Sequence, residues 1–288
     1  MFNIDPSDPT KLTMVGAPVD LPGEFPNTVA ASQKNRVVCV GLSGAKAGVS
    51  CAPFSKVGGI GAMDALRPFN LGQTTPPVGP TNTVSQVFFS QDEQTLYTTV
   101  KGDPTVNNTG FLAAFAVESA CGQISSQGVM SSPDETLVLF GSASIPDSTD
   151  LFVTDASFGA AVLSVDAGQQ ATTKGRGVVD GQAATCWATI SPATKTAFVT
   201  DVGVNRLVEM SLDDASILNE IDLSANGQSG MIDLAAAGPM VYVLAPGNNE
   251  TAPAIVVLDA ASREVAQTVE LGSMGITGRV QGMTIFEA

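Results

Sequence analysis

Apolar residues in this chain alternate with polar or small ones, and Gly, Pro, Asn or Asp interrupts the pattern every few positions. Alternation of period two bounded by turn formers predicts half-buried β-strands, because successive side chains of a strand point to opposite faces. GVMSSPDETLVLFGSAS (128–144) shows the pattern: an apolar segment, a Ser-Pro-Asp turn, a second apolar segment and a small-residue exit. It aligns with TVAASQKNRVVCVGLSG (28–44), QVFFSQDEQTLYTTVKG (86–102), WATISPATKTAFVTDVG (187–203) and a degenerate MIDLAAAGPMVYVLAPG (231–247). The C-terminal GMTIFEA looks like the first half of one more copy. Turn anchors at Ser32, Ser90, Ser132, Ser191, Ala235 and Glu287 lie roughly 40 to 60 residues apart, which suits a propeller blade of four strands.

Between the anchors a second strand pair recurs, in TGFLAAFAVES, TDLFVTDASFGAAVLSVDA, NRLVEMSLDDASILNEIDL and PAIVVLDAASREVAQTVEL. In three of these an apolar strand ends in Asp plus small residues and turns into another apolar strand, the pattern of a blade's outer hairpin. The expected architecture is all-β: one propeller domain over 1–288, with outer strands of a partial blade at 1–22. Repeats are anchored near 28, 86, 128, 187 and 231, and a closing strand falls at 280–288. Because the pattern starts and stops in mid-blade, an upstream segment of about one to two blades is expected to precede Met1. The best helical candidate, AGVSCAPFSKVGGIGAMDALRPF, is broken by Pro53 and by its glycines, and the chain holds 29 Gly and 17 Pro.

Charge narrows the function classes. With 28 acidic and 13 basic residues the net charge is −15, a surface that repels phosphate backbones and excludes nucleic acid as an expected partner. No apolar run reaches the roughly 18 residues of a membrane span, so a soluble protein is expected. There is no histidine, and the four cysteines make no Cys-x-x-Cys pair, so neither a metal nor another cofactor is expected. An even cysteine count and the sequons at Asn107 and Asn249 fit a secreted glycoprotein, although the opening MFNIDPSDPTKL is polar almost at once and does not read as a signal peptide. Cys39 and Cys51 flank VGLSGAKAGVS, which reads as a hairpin able to carry a disulfide; Cys121 and Cys186 are left to pair by elimination.

The Ser-Pro-Asp turn and the FVTD exit resemble the seven-bladed propellers of the lactonase and muconate-cyclase-like superfamily. More narrowly, FNIDPSDPTKLTMVG, QTTPPVGPTNTVSQVFFS, TVKGDP, NNTGFLAAF and GQAATCWATISP are similar to secreted fungal proteins labelled 3-carboxymuconate-cyclase-like. The resemblance implies a seven-bladed type, a signal peptide and a further blade upstream. It also implies a cluster of His, Glu and Arg at the channel mouth, and this chain has no His to supply it.

Ser131, Ser132 and Asp134 would suit a nucleophilic relay only with a near-neutral base, so they are expected to be turn residues. Asp180, Asp201 and Asp233 lie near strand ends, where turn carboxylates are common. Lys174 and Arg176 in TTKGRGVVDGQ form the densest basic pair, read as a loop; Arg176 is the first choice for an anion clamp, and Arg176 and Asp180 are the candidates for any catalysis. Amides precede the innermost strands: Asn27, Asn82, Gln86, Gln127, Gln182, Gln228 and Gln281. They orient hydroxyls and carbonyls without acid-base chemistry, and equally they satisfy crowded backbone. Trp187, the sole tryptophan, is expected between blades, with ligand stacking as its alternative.

Two functions follow. One is a non-catalytic extracellular propeller holding a small polar or anionic organic ligand in its central channel. The other is a muconate-type cyclase or lactonase that works with Arg and carboxylates alone.

Overall fold

Strands form where short alternating runs meet turn residues, and the computed structural model describes residues 1–118, 122–228, 230–248, 250–276 and 280–286. The chain divides into two compact units, Met1–Ser131 with Gly168–Gln170, and Ser132–Ala167 with Ala171–Phe286. Helical geometry among the described residues is limited to 3-10 turns at Pro104–Val106, Ser224–Asn226 and Gly272–Met274. No helix is long and apolar enough to cross a membrane.

The first unit opens with a separate hairpin of β1 (Phe2–Asp5) and β2 (Asp8–Met14), where a strand pair was expected. A sheet follows, of β3 (Pro26–Ser32), β4 (Val37–Leu42), β5 (Gly48–Ser55) and the short β6 (Gly59–Ile60), with β7 (Arg67–Pro68) also pairing with β5. Cys39 and Cys51 sit directly opposite each other on β4 and β5 and form a disulfide, as the hairpin predicts. The next sheet is β8 (Val84–Phe89), β9 (Thr95–Val100), β10 (Phe111–Ala116) and β11 (Val129–Ser131). Val37, Val49, Phe69, Val84, Leu96 and Phe115 bury themselves around the disulfide, and Phe69 meets Phe111 edge to face at 5.3 Å. Burying each such side chain contributes about 1.5–3 kcal/mol.

The second unit holds three four-stranded sheets in simple up-and-down order. They are β12 (Leu139–Ser144), β13 (Leu151–Asp155), β14 (Gly159–Val165) and β15 (Ala171–Val178); β16 (Thr185–Ser191), β17 (Thr196–Asp201), β18 (Arg206–Met210) and β19 (Ile217–Asp222); and β20 (Asp233–Ala237), β21 (Met240–Ala245), β22 (Ala254–Asp259) and β23 (Val265–Glu270). Every strand pairing is antiparallel. The repeat extends to irregularities: β3, β8, β12 and β16 each slip register near their start, at Pro26/Thr28, Val84/Gln86, Leu139/Ser142 and Thr185/Ala188. A bulge at a fixed position adds the same local twist to each first strand.

Three expectations need correction. Residues 128–144 are not a hairpin: β11 closes the outer edge of one sheet and β12 opens the next, while the true hairpin partner of β12 is β13. Strand–turn–strand looks the same within a sheet as between sheets, so the local pattern does not choose the partner. TTKGRGVVDGQ is not a loop, since Thr172 to Val178 belong to β15, the fourth strand of its sheet. Its glycines serve packing: a Cβ at Gly175 or Gly177 would overlap the backbone of Asp214 or Ala215. Finally, the described part of the expected closing strand, 280–286, contains no strand.

Candidate functional site

The exits of β13 and β17 carry the sequence Val-Thr-Asp, and the fold buries both of these aspartates completely. Asp155 accepts the N–H groups of Leu137 (2.7 Å) and Val138 (3.0 Å) on one oxygen, and the N–H and hydroxyl of Ser157 on the other. Asp201 does the same for Ala183, Ala184 and Gly203. Each carboxylate thereby holds the segment that feeds the first strand of its own sheet. Asp201, a catalytic candidate by sequence, is thus a backbone cap, a role with a full set of donors and no free lone pair aimed at a substrate.

The amides behave similarly. Asn27 donates to the Val84 carbonyl at 2.7 Å and accepts from the Ser43 hydroxyl at 2.7 Å. Gln182 donates to the Ala156 carbonyl (3.0 Å) and accepts the Thr185 N–H (2.7 Å). The buried Gln228 donates to the Ala252 carbonyl at 3.2 Å. Asn82, in the left-handed region at φ 51°, is joined to Asn108 and Asp103. Gln86 lies half-buried at the bulge of β8, whereas Gln127 and Gln281 are exposed.

Neither basic candidate is positioned as a free clamp. Arg176 lies with its guanidinium 4.0 Å from the Phe158 ring centre and 3.8 Å from Glu135. Lys174 is 2.7 Å from Asp150, which raises its pKa through the hydrogen bond and the charge. Asp180 is exposed, and its carbonyl accepts from Arg206, a cation the sequence reading passed over. Arg206 also meets Glu220 at 2.7 Å and Asp201 at 3.8 Å.

Asp233 is the exception among the carboxylates. It is buried at the start of β20, and desolvation pushes its pKa up from 3.8 to about 6, against the lowering effect of N–H donation from Met283 and Leu234. Met283 N–H reaches its Oδ2 at 2.7 Å. A carboxyl titrating there could exchange a proton near neutral pH. Its recorded partners, however, are backbone groups.

Trp187 is half-buried and packs edge to face on Phe140, with ring centres 5.7 Å apart. Ser131 is buried at the end of β11 and donates to Gln170, while Ser132 is exposed beyond that strand. The Cys186 thiol is buried and points to the Ile232 carbonyl at 3.6 Å. Cys121, its expected partner, lies outside the described residues, as does the sequon residue Asn249; Asn107 is exposed on a turn.

Sequence reasoning missed a cleft of about 580 Å³ in the second unit. Ser144, at the end of β12, and Pro146 and Asp147, from the turn after it, face Ile190, Ser191, Pro192 and Lys195, from the end of β16 and its turn, with Leu212 alongside. Asp147 (φ 58°) and Lys195 (φ 56°) both occupy left-handed turn positions. No residue pattern in the sequence singles the cleft out, since Arg36, Glu93, Glu135 and Arg263 occupy left-handed positions too.

The chain is similar to the periplasmic gluconolactonase of Pseudomonas aeruginosa, at 14% identity and TM-score 0.64 over 94% of this chain and 78% of that one. It is also similar to a Bacteroides uniformis protein assigned as a 6-phosphogluconolactonase, at 14% identity and TM-score 0.60 over 84% and 71%. A third likeness is to the Dos1 propeller, at 12% identity and TM-score 0.57 over 85% and 62%. The chain is an all-β propeller. Its blades are four-stranded: four of the described sheets have four strands, and the sheet of β3 to β7 adds a short fifth. No protein-family model matches the sequence, and no curated protein does. Identities this low speak to fold and leave chemistry to the site itself.

Proposed function

We propose that this propeller is an extracellular protein that binds a small polar or anionic organic molecule and performs no acid-base chemistry on it. The observation carrying the proposal is where its polar groups are spent. Lactone hydrolysis or muconate cyclisation needs a base and a charge-stabilising group converging on one reacting carbon. Here Asn27, Gln182 and Gln228 bond to backbone, Asp155 and Asp201 cap backbone, and Arg176 and Arg206 face carboxylates. The cleft of the second unit has a different character: Pro146, Ile190, Pro192 and Leu212 offer apolar walls, Asp147 and Lys195 supply one charge of each sign, and Lys195 enters no salt bridge among the described residues. An ammonium beside apolar walls suits a ligand with a carbon skeleton and one oxyanion or hydroxyl. The disulfide and the exposed Asn107 sequon support an oxidising, extracellular setting. The resemblance to muconate-cyclase-like proteins supports assigning these blades to the seven-bladed class.

A lactonase reading is the second, favoured by Asp233, the carboxyl whose pKa is raised toward neutrality, and by the gluconolactonase fold likeness. The deciding experiment incubates the oxidised full chain with aldonolactones and with muconates, alongside a thermal-shift screen of polyols and organic acids. We expect no turnover above buffer, and a saturable thermal shift that Lys195→Gln abolishes. Turnover that disappears in Asp233→Asn or Arg176→Ala would establish the enzyme instead.

A further inference from the structure

In a chain of net charge −15, most basic side chains face carboxylates, as Lys46, Arg67, Lys174, Arg206 and Arg263 do. Arg36 and Lys56 form no salt bridge among the described residues, and both line the same pocket of about 420 Å³ in the first unit. Gln33, Phe54 and Ser55 complete its lining, and no carboxylate among the described residues is part of it. Two unneutralised cations sharing a concavity raise the local concentration of anions even on an acidic protein.

Local structure explains how the pocket is held. Gln33 and Arg36 belong to the turn joining β3 to β4, and Phe54 and Ser55 to the end of β5. The Phe54 N–H donates to the Arg36 carbonyl at 2.9 Å, fixing the two stretches side by side. Arg36 has φ 55°, the left-handed conformation that Gly238 (φ 53°) adopts between β20 and β21. Glu93, at the corresponding turn between β8 and β9 (φ 56°), uses its carboxylate on the Ser32 hydroxyl and the Lys34 N–H. Arg36 carries the same backbone cost with no such internal partner among the described residues.

We propose that this pocket is a binding site for a small aromatic carboxylate. The planar carboxylate matches the guanidinium fork of Arg36 bidentately and adds the Lys56 charge. The half-buried Phe54 ring takes the aromatic body of the ligand, which an inorganic anion lacks. Ser55 Oγ already accepts the Gly58 N–H at 2.9 Å and keeps its proton to donate. The site lies in the first unit and does not depend on the cleft of the second, so its failure leaves the proposed function standing.

The test is calorimetric and NMR titration of the oxidised full chain with benzoate, benzyl alcohol and inorganic phosphate. Arg36→Gly suits the left-handed turn and therefore keeps the fold, Lys56→Gln removes the second charge, and Phe54→Leu removes the ring. We expect benzoate to bind at least tenfold more tightly than benzyl alcohol or phosphate, and to lose about tenfold in affinity with Arg36→Gly, less with Lys56→Gln. Phe54→Leu should weaken benzoate while leaving phosphate unchanged. Benzoate affinity untouched by Arg36→Gly would overturn the site, and phosphate matching benzoate would overturn its aromatic preference.

Discussion

Replacing Asp155 by Ala tests whether the buried aspartates are architecture. The wild-type carboxylate is fully buried and accepts four hydrogen bonds, three from backbone N–H groups and one from the Ser157 hydroxyl. Without it, the Val138 N–H is left in the interior, because Val138 is only 6% exposed. The Leu137 and Ser157 N–H groups lie at residues that reach solvent, so water recovers part of their loss. An unsatisfied buried donor costs about 1–3 kcal/mol and each lost charge-assisted bond about 1 kcal/mol after rehydration, which gives about 4 kcal/mol in all. For a unit of this size that lowers the melting temperature by roughly 8–16 °C. Urea and thermal unfolding of the oxidised chain measure it, with Asp180→Ala as the control at an exposed aspartate, expected within about 0.5 kcal/mol of wild type. Asp155→Asn, which keeps one acceptor oxygen, should fall between the two. If Asp155→Ala loses no more than Asp180→Ala, the capping argument is wrong, and with it the reason for removing Asp201 from the catalytic candidates.

Three further outcomes are expected. Since burial raises Asp233 to about 6, the folded state holds its proton more tightly than the unfolded chain. Its contribution of about 3 kcal/mol is fully present below pH 3.8 and lost as pH rises through about 6, so Asp233→Asn should flatten the decline of the urea midpoint across that window. Opening the Cys39–Cys51 bridge, whose residues are 12 apart in sequence, should cost about 3 kcal/mol, seen by comparing the Cys39→Ser, Cys51→Ser double variant with the oxidised chain. Arg176→Ala should cost at most about 1 kcal/mol in unfolding experiments, because its ion pair is long and its ring contact is partly exposed; a loss above about 2 kcal/mol would point to a role that neither contact explains.

What the sequence determined by itself was local. Period-two alternation and turn residues specify the all-β class, and four of the five aligned repeats are hairpins in the sheets: β3 with β4, β8 with β9, β16 with β17 and β20 with β21. The Cys39–Cys51 bridge was equally legible, since a hairpin puts facing residues in reach. Tertiary structure decided the rest, because choosing a partner is not a local property. Residues 128–144 have the pattern of a hairpin yet connect two sheets, and ATTKGRGV looks like a loop yet pairs with β14, its alternate positions buried and its glycines making room for the 211–216 turn. The same limit governs the site. Asp155, Asp201 and Asp233 are one residue type near strand ends, and only their neighbours separate two caps rich in N–H donors from a desolvated carboxyl with few. Donors, charges and solvent reach each group from segments far away in sequence, and that supply fixes whether a polar side chain holds the fold together or is left to hold something else.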